Sequence, residues 1–478
     1  MKLWARINSG YLFLFSFVTV FIITPLFQQG VFGDGLMYLT VAFNRYRGAG
    51  TFWKQHYSDT SMSFFCEQPP LYFETLSWFY KLFGGAEVAE KFFTLTLLLI
   101  TVFLSAKIWN KLTGRKYKNI SWLPAALMIC VPVFTWAFCN QVIETMVVAV
   151  DLLTFYLLLV FLETKKTPGK TVALIGAAGG LFLLFLTKGI QSDFLIVALF
   201  FAAFIFEKKQ APKLFIWAIV LTVFFAAIFL TVFLFNQNAQ NWLVSYFDKR
   251  IIATFNNKGA TAAHHIEIIV RYFSELLPVF GFFIIVSLYL KLSKKISFSV
   301  LVKKMRTNKK ALWLILISFS ASLPLAVTLE QRGFYLSPSF PFIVLALCLM
   351  YGKYLFVLFT RMWQNAKTLF VVSGAVLFVA SIVFFGFNKD GYKRDEGMIK
   401  DVEAIKKIIP YGETIAINQS TWNTFSLHSY LNKSNNNSLL VCDTAHFFIQ
   451  EKENKDPIPQ NYSTLNIGTQ TINVYQKK

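Results

Sequence analysis

The sequence predicts an all-α polytopic membrane protein of about 11–13 transmembrane helices, followed by a small C-terminal α/β domain. Three observations carry that class. The 478 residues are 55% hydrophobic and 18% aromatic, with 54 Phe, and their mean hydropathy of +0.52 lies far above that of a soluble domain. Apolar runs long enough to cross a bilayer recur, separated by short basic clusters. At Asn388 the apolar runs stop and a polar segment rich in Asn, Lys, Asp and Glu begins.

The first span covers 11–29. Met1–Arg6 and Tyr11–Gln29 resemble a signal peptide, but no small-residue cleavage site follows, so the stretch reads as an uncleaved helix. Further spans fall near 92–109, 120–138, 142–162, 171–187, 189–206, 213–235, 266–290, 311–329, 334–352 and 368–387. The net charge of +21 is explained by topology rather than by a nucleic-acid partner. Lys111 to Lys118, Lys165 to Lys170, Lys208 to Lys213, the run Lys291–Lys310, and Lys353, Arg361 and Lys367 all fall on one side when the N-terminus is cytoplasmic. Leu71–Phe83 is too short to cross and would invert that pattern, so it is expected to be a re-entrant or interfacial helix. The run Lys291–Lys310 also suits contact with anionic lipid headgroups.

Residues 1–387 thus form a transmembrane domain with a first outer loop at 30–91 and a second large outer loop at 236–265. Residues 388–478 form an extracytoplasmic domain. There, Ile399, Val402, Ile405 and Ile409 keep helical spacing up to Pro410-Tyr411-Gly412. Strands are expected at Glu413–Ile417, Leu439–Cys442 and Thr471–Tyr475, with a helix at Ser420–Asn432. The five cysteines show no metal spacing; Cys66 and Cys442 share the outer side, where a disulfide is an option that spacing cannot decide.

The span map gathers polar groups at one leaflet boundary. Asp34 and Glu67 are in the first outer loop, Glu144 opens the fourth span, Lys188 joins the fifth and sixth, His264 and His265 end the second outer loop, and Arg332 joins the ninth and tenth. Ionisable groups at a membrane boundary are costly beside lipid and ordinarily line a cavity or a site. Acids, imidazoles and cations together suit a reaction between a lipid-borne anionic donor and an outer acceptor. A transporter would more often place such groups at the bilayer midplane.

Asp34 after the first span, Glu67-Gln68-Pro69-Pro70-Leu71, Phe185-Leu186-Thr187-Lys188-Gly189, His265 with Tyr272 seven residues on, and Arg332-Gly333-Phe334-Tyr335-Leu336-Ser337-Pro338 resemble the GT-C glycosyltransferases. Within them the likeness is to bacterial glycosyltransferase family 39, related to protein O-mannosyltransferases and to the aminoarabinose transferase of lipid A. It covers residues 1 to about 390, and it rests on the order and spacing of the motifs together. The resemblance implies transfer of a sugar, with inversion, from a polyprenyl-phosphate carrier to an outer glycan, lipid or protein acceptor, in a bacterial inner membrane. It implies no nucleic-acid partner. Three departures stand out. Gly35 stands where a second acid is usual, Gln68 where the lipid A enzyme has a Lys, and Glu144 where an Asp is usual, with Tyr156 twelve residues on.

Inverting transfer needs a base for the acceptor's proton, and Asp34 is the candidate; the alternative is a helix cap. Glu144 either orients the acceptor or the Asp34 carboxylate, or answers a helix dipole. Lys188 and Arg332, with Gln68 beside them, suit the departing phosphate, against the reading that such cations snorkel to the interface. Glu67 and His265 are a carboxylate–imidazole combination suited to zinc or manganese. Asp151, two turns below Glu144, extends the polar surface or bonds a neighbouring helix, and Arg271 and Glu275 are spaced to pair. Two other readings remain. One is a flippase or transporter for the lipid-linked sugar. The other is a degenerate family member acting as a binding subunit, to which Gly35 and Gln68 lend weight.

Overall fold

The computed structural model describes residues 2–206, 209–255, 261–293 and 307–478. Lys208, loop residues 256–260 and most of the basic run expected at Lys291–Lys310 lie outside them. Among the described residues eight helices are long and apolar enough to cross a membrane, or ten when each of two bent pairs is one crossing. The chain is a multi-pass integral membrane protein.

Both bends fall at prolines, which remove a backbone donor and clash with the preceding turn. Lys118–Ile129 and Pro132–Cys139 meet at 80°, and Glu267–Glu275 and Leu277–Leu292 at 48°. The stretch Thr167–Ile205 is continuous in helical turns but cannot be one straight rod. The Ser192 hydroxyl donates to the carbonyls of Leu184, at 2.8 Å, and Gly189, at 2.7 Å. Eight residues along an α-helix span about 12 Å, so the chain reverses after Lys188, at Gly189, whose φ is 75°. A helix Thr167–Lys188 therefore runs one way, and the 3-10 turns Gly189–Val197 with Ala198–Ile205 run back.

By internal contacts the chain forms two compact units. The first comprises Met1–Thr24, Thr94–Cys139 and Glu144–Phe387. The second comprises Pro25–Phe93, Asn140–Ile143 and Asn388–Lys478, so the first inter-span segment and the C-terminal residues share one compact unit.

In the second unit, helix Gly33–Tyr46 packs on helix Leu71–Leu82. Tyr38 lies against Tyr72 and Phe73, with ring centroids 6.2 and 5.9 Å apart, and Arg45 pairs with Glu74 at 2.7 Å. Twelve residues of helix reach only about 18 Å, well short of a bilayer core. Leu71–Leu82 therefore does not cross.

The C-terminal segment folds as an α/β domain around Ile405, Ile415, Leu427, Leu431, Ile449 and Val474. Its strands are β1 (Thr414–Ile417), β2 (Ser438–Val441), β3 (Phe447–Glu451), β4 (Tyr462–Leu465) and β5 (Ile472–Lys477), in the order β2-β1-β3-β5-β4. β1 is parallel to β2 and β3, and β5 is antiparallel to β3 and β4. The helix expected over Ser420–Asn432 is instead a short turn, Gln419–Trp422, capped by Asn418, and a helix Phe425–Asn435. Strands β3 and β4 were not anticipated. The structure has no disulfide between Cys66 and Cys442, the pairing left open above.

Candidate functional site

Helix Glu144–Glu163 and helix Thr167–Lys188 are consecutive, nearly equal in length and joined by three residues, so they form a hairpin whose far ends meet. The first residue of one is Glu144 and the last of the other is Lys188. A carboxylate at a helix N-terminus and an ammonium at a C-terminus each answer the local dipole, and the hairpin sets them against one another. Lys188 Nζ lies 2.7 Å from Glu144 Oε1, the two side chains being 6% and 1% exposed.

The pair opens onto a wider network. The Lys188 ammonium stands 4.4 Å from the centroid of the Tyr335 ring. Tyr335 donates its hydroxyl to Glu330 Oε1 at 3.2 Å and accepts from Arg250 Nη2 at 3.2 Å. Arg250 also bonds Glu330 at 2.5 Å, and Thr254 donates to the other Glu330 oxygen. Two cations and two carboxylates thus surround one phenol, so the buried site is formally neutral. A cavity of about 20 Å³, room for about one water, is lined by Glu144, Lys188, Gln191, Ser192 and Tyr335. Gly189 holds the corner together. Its positive φ suits glycine, and a Cβ there would come within 2.1 Å of the Tyr246 hydroxyl.

Arg332 caps the 3-10 run Gly333–Ser339 through its backbone and is half-buried. Among the described residues its guanidinium forms no ion pair. Gly333 beside it is closely covered by the Arg271 guanidinium, which also meets Glu275 at 3.5 Å as the spacing predicts. Glu275 in turn accepts from the Val133 amide at 2.8 Å, one of the orphan donors at the start of helix Pro132–Cys139. Asp151 is 1% exposed, and among the described residues neither of its oxygens has a hydrogen-bond partner.

In the second unit Asp34 is the second residue of helix Gly33–Tyr46 and is half-buried. It is not the cap. Phe32 holds that position, with no side-chain capping bond. Among the described residues the Asp34 carboxylate makes neither a hydrogen bond nor an ion pair, which leaves both oxygens available to a substrate. Gly35 is a packing requirement, because a Cβ at that position would stand 2.0 Å from the Asn140 carbonyl. No side chain fits there, an acid least of all. Gly35→Ala is expected to lower the unfolding free energy by about 1–3 kcal/mol through overpacking, and Gly35→Asp by more, both read as lower melting temperatures in detergent.

Gln68 is buried and Glu67 half-buried, just before helix Leu71–Leu82. Burial, with the Glu67 charge adding and a hydrogen bond to Ser429 opposing, pushes the Tyr57 phenol up to about 12. In the membrane unit His265 is exposed, and its Nδ1 donates to the Ala326 carbonyl at 2.8 Å, leaving one ring nitrogen. Among the described residues no three His, Cys, Asp or Glu side chains gather in a way that would hold a metal. Glu67 belongs to the second unit and His265 to the membrane unit. Sequence reasoning missed Arg250 and Glu330, and it gave Tyr335 no role although its motif was singled out; the signal was the run Glu330-Gln331-Arg332 at a span end.

No protein-family profile matches this sequence, and no curated protein does. Solved structures do match. Against ArnT from Cupriavidus metallidurans bound to undecaprenyl phosphate the TM-score is 0.68 at 12% identity, covering 98% of each chain. Against the same protein in the apo state it is 0.67 at 11% identity, covering 96% of this chain and 95% of that one. The fold is that of ArnT over nearly the whole chain, as the sequence motifs led one to expect, and the likeness runs past residue 390 through the C-terminal domain.

Proposed function

We propose that this membrane protein, built on the fold of ArnT, is a glycosyltransferase that moves a sugar from a polyprenyl-phosphate carrier to an acceptor on the outer face of the membrane. The observation that carries the reading is the buried pairing of Lys188 with Glu144 beside Tyr335, Arg250 and Glu330. Cations held by carboxylates inside a membrane domain are costly to bury and suit a site where a second anion replaces the first. A neighbour of the same fold was crystallised with undecaprenyl phosphate, an anion of that kind on a lipid.

In this reading the acceptor hydroxyl attacks the anomeric carbon and gives its proton to Asp34, while the carbon–oxygen bond to the carrier breaks and its electron pair leaves on the phosphate. Lys188 and Arg332 stabilise that departing charge, which grows in the transition state and is absent from the neutral acceptor. Glu144 holds the ammonium in place until phosphate arrives. Gln68, buried at the start of helix Leu71–Leu82, contributes a neutral donor to the carrier. Glu67 and His265 are short of a complete metal site, and no step passes through one. The distribution of Lys and Arg supports a cytoplasmic N-terminus and an outer C-terminal domain, as in a bacterial inner membrane.

The degenerate-subunit reading loses one of its supports, since packing against Asn140 accounts for Gly35 without reference to activity. The full-length protein, purified and supplied with undecaprenyl-phosphate-linked hexoses and pentoses together with an extract of envelope lipids, glycans and proteins as acceptors, is expected to release undecaprenyl phosphate as the sugar passes to an acceptor hydroxyl. Passage of intact carrier across a proteoliposome bilayer without release would establish a transporter instead. Binding with neither outcome would establish a scaffold.

A further inference from the structure

We propose that Tyr430, in the C-terminal domain, is a positioning residue for the proposed base Asp34, so that this domain is part of the catalytic machinery rather than an appendage. The inference rests on the reading of Asp34 as base, and it follows from how that residue is held. Because the Asp34 carboxylate has no hydrogen bond or ion pair among the described residues, no side-chain partner aims it. Only its backbone does.

That backbone is fixed from the C-terminal segment. Gln29 donates to the Gly391 carbonyl and accepts from the Lys393 amide, both at 2.9 Å, in a bridge opposite Tyr392. Gly30, with φ 86°, crosses so close to the Arg394 carbonyl that a Cβ would stand 2.2 Å from it. The Val31 amide then donates to the Tyr430 hydroxyl at 3.3 Å, and Tyr430 donates onward to Asp395 Oδ2 at 3.2 Å. Arg394 Nε holds the same Asp395 oxygen at 3.1 Å. One residue later the Phe32 amide donates to Asn140 Oδ1 at 3.1 Å, and the first helical bond runs from Leu36 to Phe32.

The amides of residues 29, 31 and 32 are thus taken by three separate groups immediately before the helix that carries Asp34. Tyr430 is the one whose contribution is a single hydroxyl, so it is removable without changing the shape of the core. It works as a relay: it accepts from Val31 only in the orientation set by giving its own proton to Asp395. Loss of the hydroxyl frees Val31 N–H and lets the start of the helix drift. A displacement on the order of 1 Å at a reacting group is enough to cost up to about a hundredfold in rate.

The test compares Tyr430→Phe with Tyr462→Phe, which removes another hydroxyl of the same domain, one that donates to the Ala445 carbonyl. Each full-length variant is assayed for release of undecaprenyl phosphate from an undecaprenyl-phosphate-linked hexose in the presence of the same envelope extract as acceptor, and for backbone hydrogen exchange over residues 28–36. Tyr430→Phe is expected to lower kcat roughly ten- to a hundredfold with KM for the donor unchanged. Exchange should quicken at 28–36, and the melting temperature should match that of Tyr462→Phe. The inference is overturned if Tyr430→Phe keeps the wild-type kcat, if Tyr462→Phe slows turnover equally, or if KM rises in place of a fall in kcat. Asp34→Asn, run beside them, separates the two failures. A dead Asp34→Asn with an unaffected Tyr430→Phe removes only the positioning role, whereas an active Asp34→Asn removes the base itself.

Discussion

Asp34→Asn is expected to lower turnover roughly 10²–10⁴-fold, the range a positioned general base supplies, while affinity for undecaprenyl phosphate stays at the wild-type level. The substitution keeps shape and volume and removes the capacity to take a proton. It is also a clean probe of this position. The carboxylate makes no internal hydrogen bond or ion pair among the described residues, so no partner is orphaned. The helix keeps its start, which depends on Phe32, Asn140 and Gly35. The structural cost is limited to the lost attraction between a negative charge and the helix N-terminus, about 0.3–1 kcal/mol. Turnover of an undecaprenyl-phosphate-linked hexose, together with equilibrium binding of undecaprenyl phosphate, measures both halves of the expectation. A variant within a few-fold of wild-type kcat would show that the proton goes elsewhere, and a variant that no longer binds the carrier would show that Asp34 contributes to recognition.

What the sequence made legible followed from distance along the chain. Bilayer-length apolar runs gave the crossings, including the reversal after Lys188, because a span must end where its apolar run ends. Glu144 and Lys188 were readable as neighbours of the same boundary, since consecutive helices of similar length return to the level from which they started. Arg250 and Glu330 were not. They are 80 residues apart, no periodicity links them, and only packing of the segment after Asn236 over the reversal at Gly189 brings them to Tyr335. The same holds for Val31 and Tyr430, 399 residues apart. Gly35 was visible as a departure from a motif, but its reason was hidden, because the approach of the Asn140 backbone has no signature at position 35 itself. In the C-terminal domain Phe447-Phe448-Ile449 carried a strand signal that went unused. β4 carried little, since a short edge strand with exposed Ser463 and Thr464 reads locally like a turn.

Lys188→Met is expected to destabilise the protein by about 3–5 kcal/mol, because it leaves the Glu144 carboxylate buried without its cation. Glu144→Gln leaves the ammonium in the same position and is expected to cost a comparable amount. The double variant, Glu144→Gln with Lys188→Met, should recover most of that loss, since a buried pair replaced by neutral groups of similar volume is often neutral or stabilising. The chemistry predicts the opposite pattern for turnover. If Lys188 serves only to neutralise Glu144, activity returns with stability in the double variant. If the ammonium passes from carboxylate to phosphate as the carrier arrives, no double variant lacking it recovers, because the leaving charge then has no fixed cation at that position. Melting temperature in detergent and kcat for an undecaprenyl-phosphate-linked hexose, measured on all four proteins, separate these outcomes. Recovery of both quantities would reduce Lys188 to a structural residue. Recovery of stability alone would explain why a buried ion pair of such cost is kept at the end of this helical hairpin: Glu144 holds in reserve, against the low dielectric of the membrane domain, the charge that the departing phosphate requires.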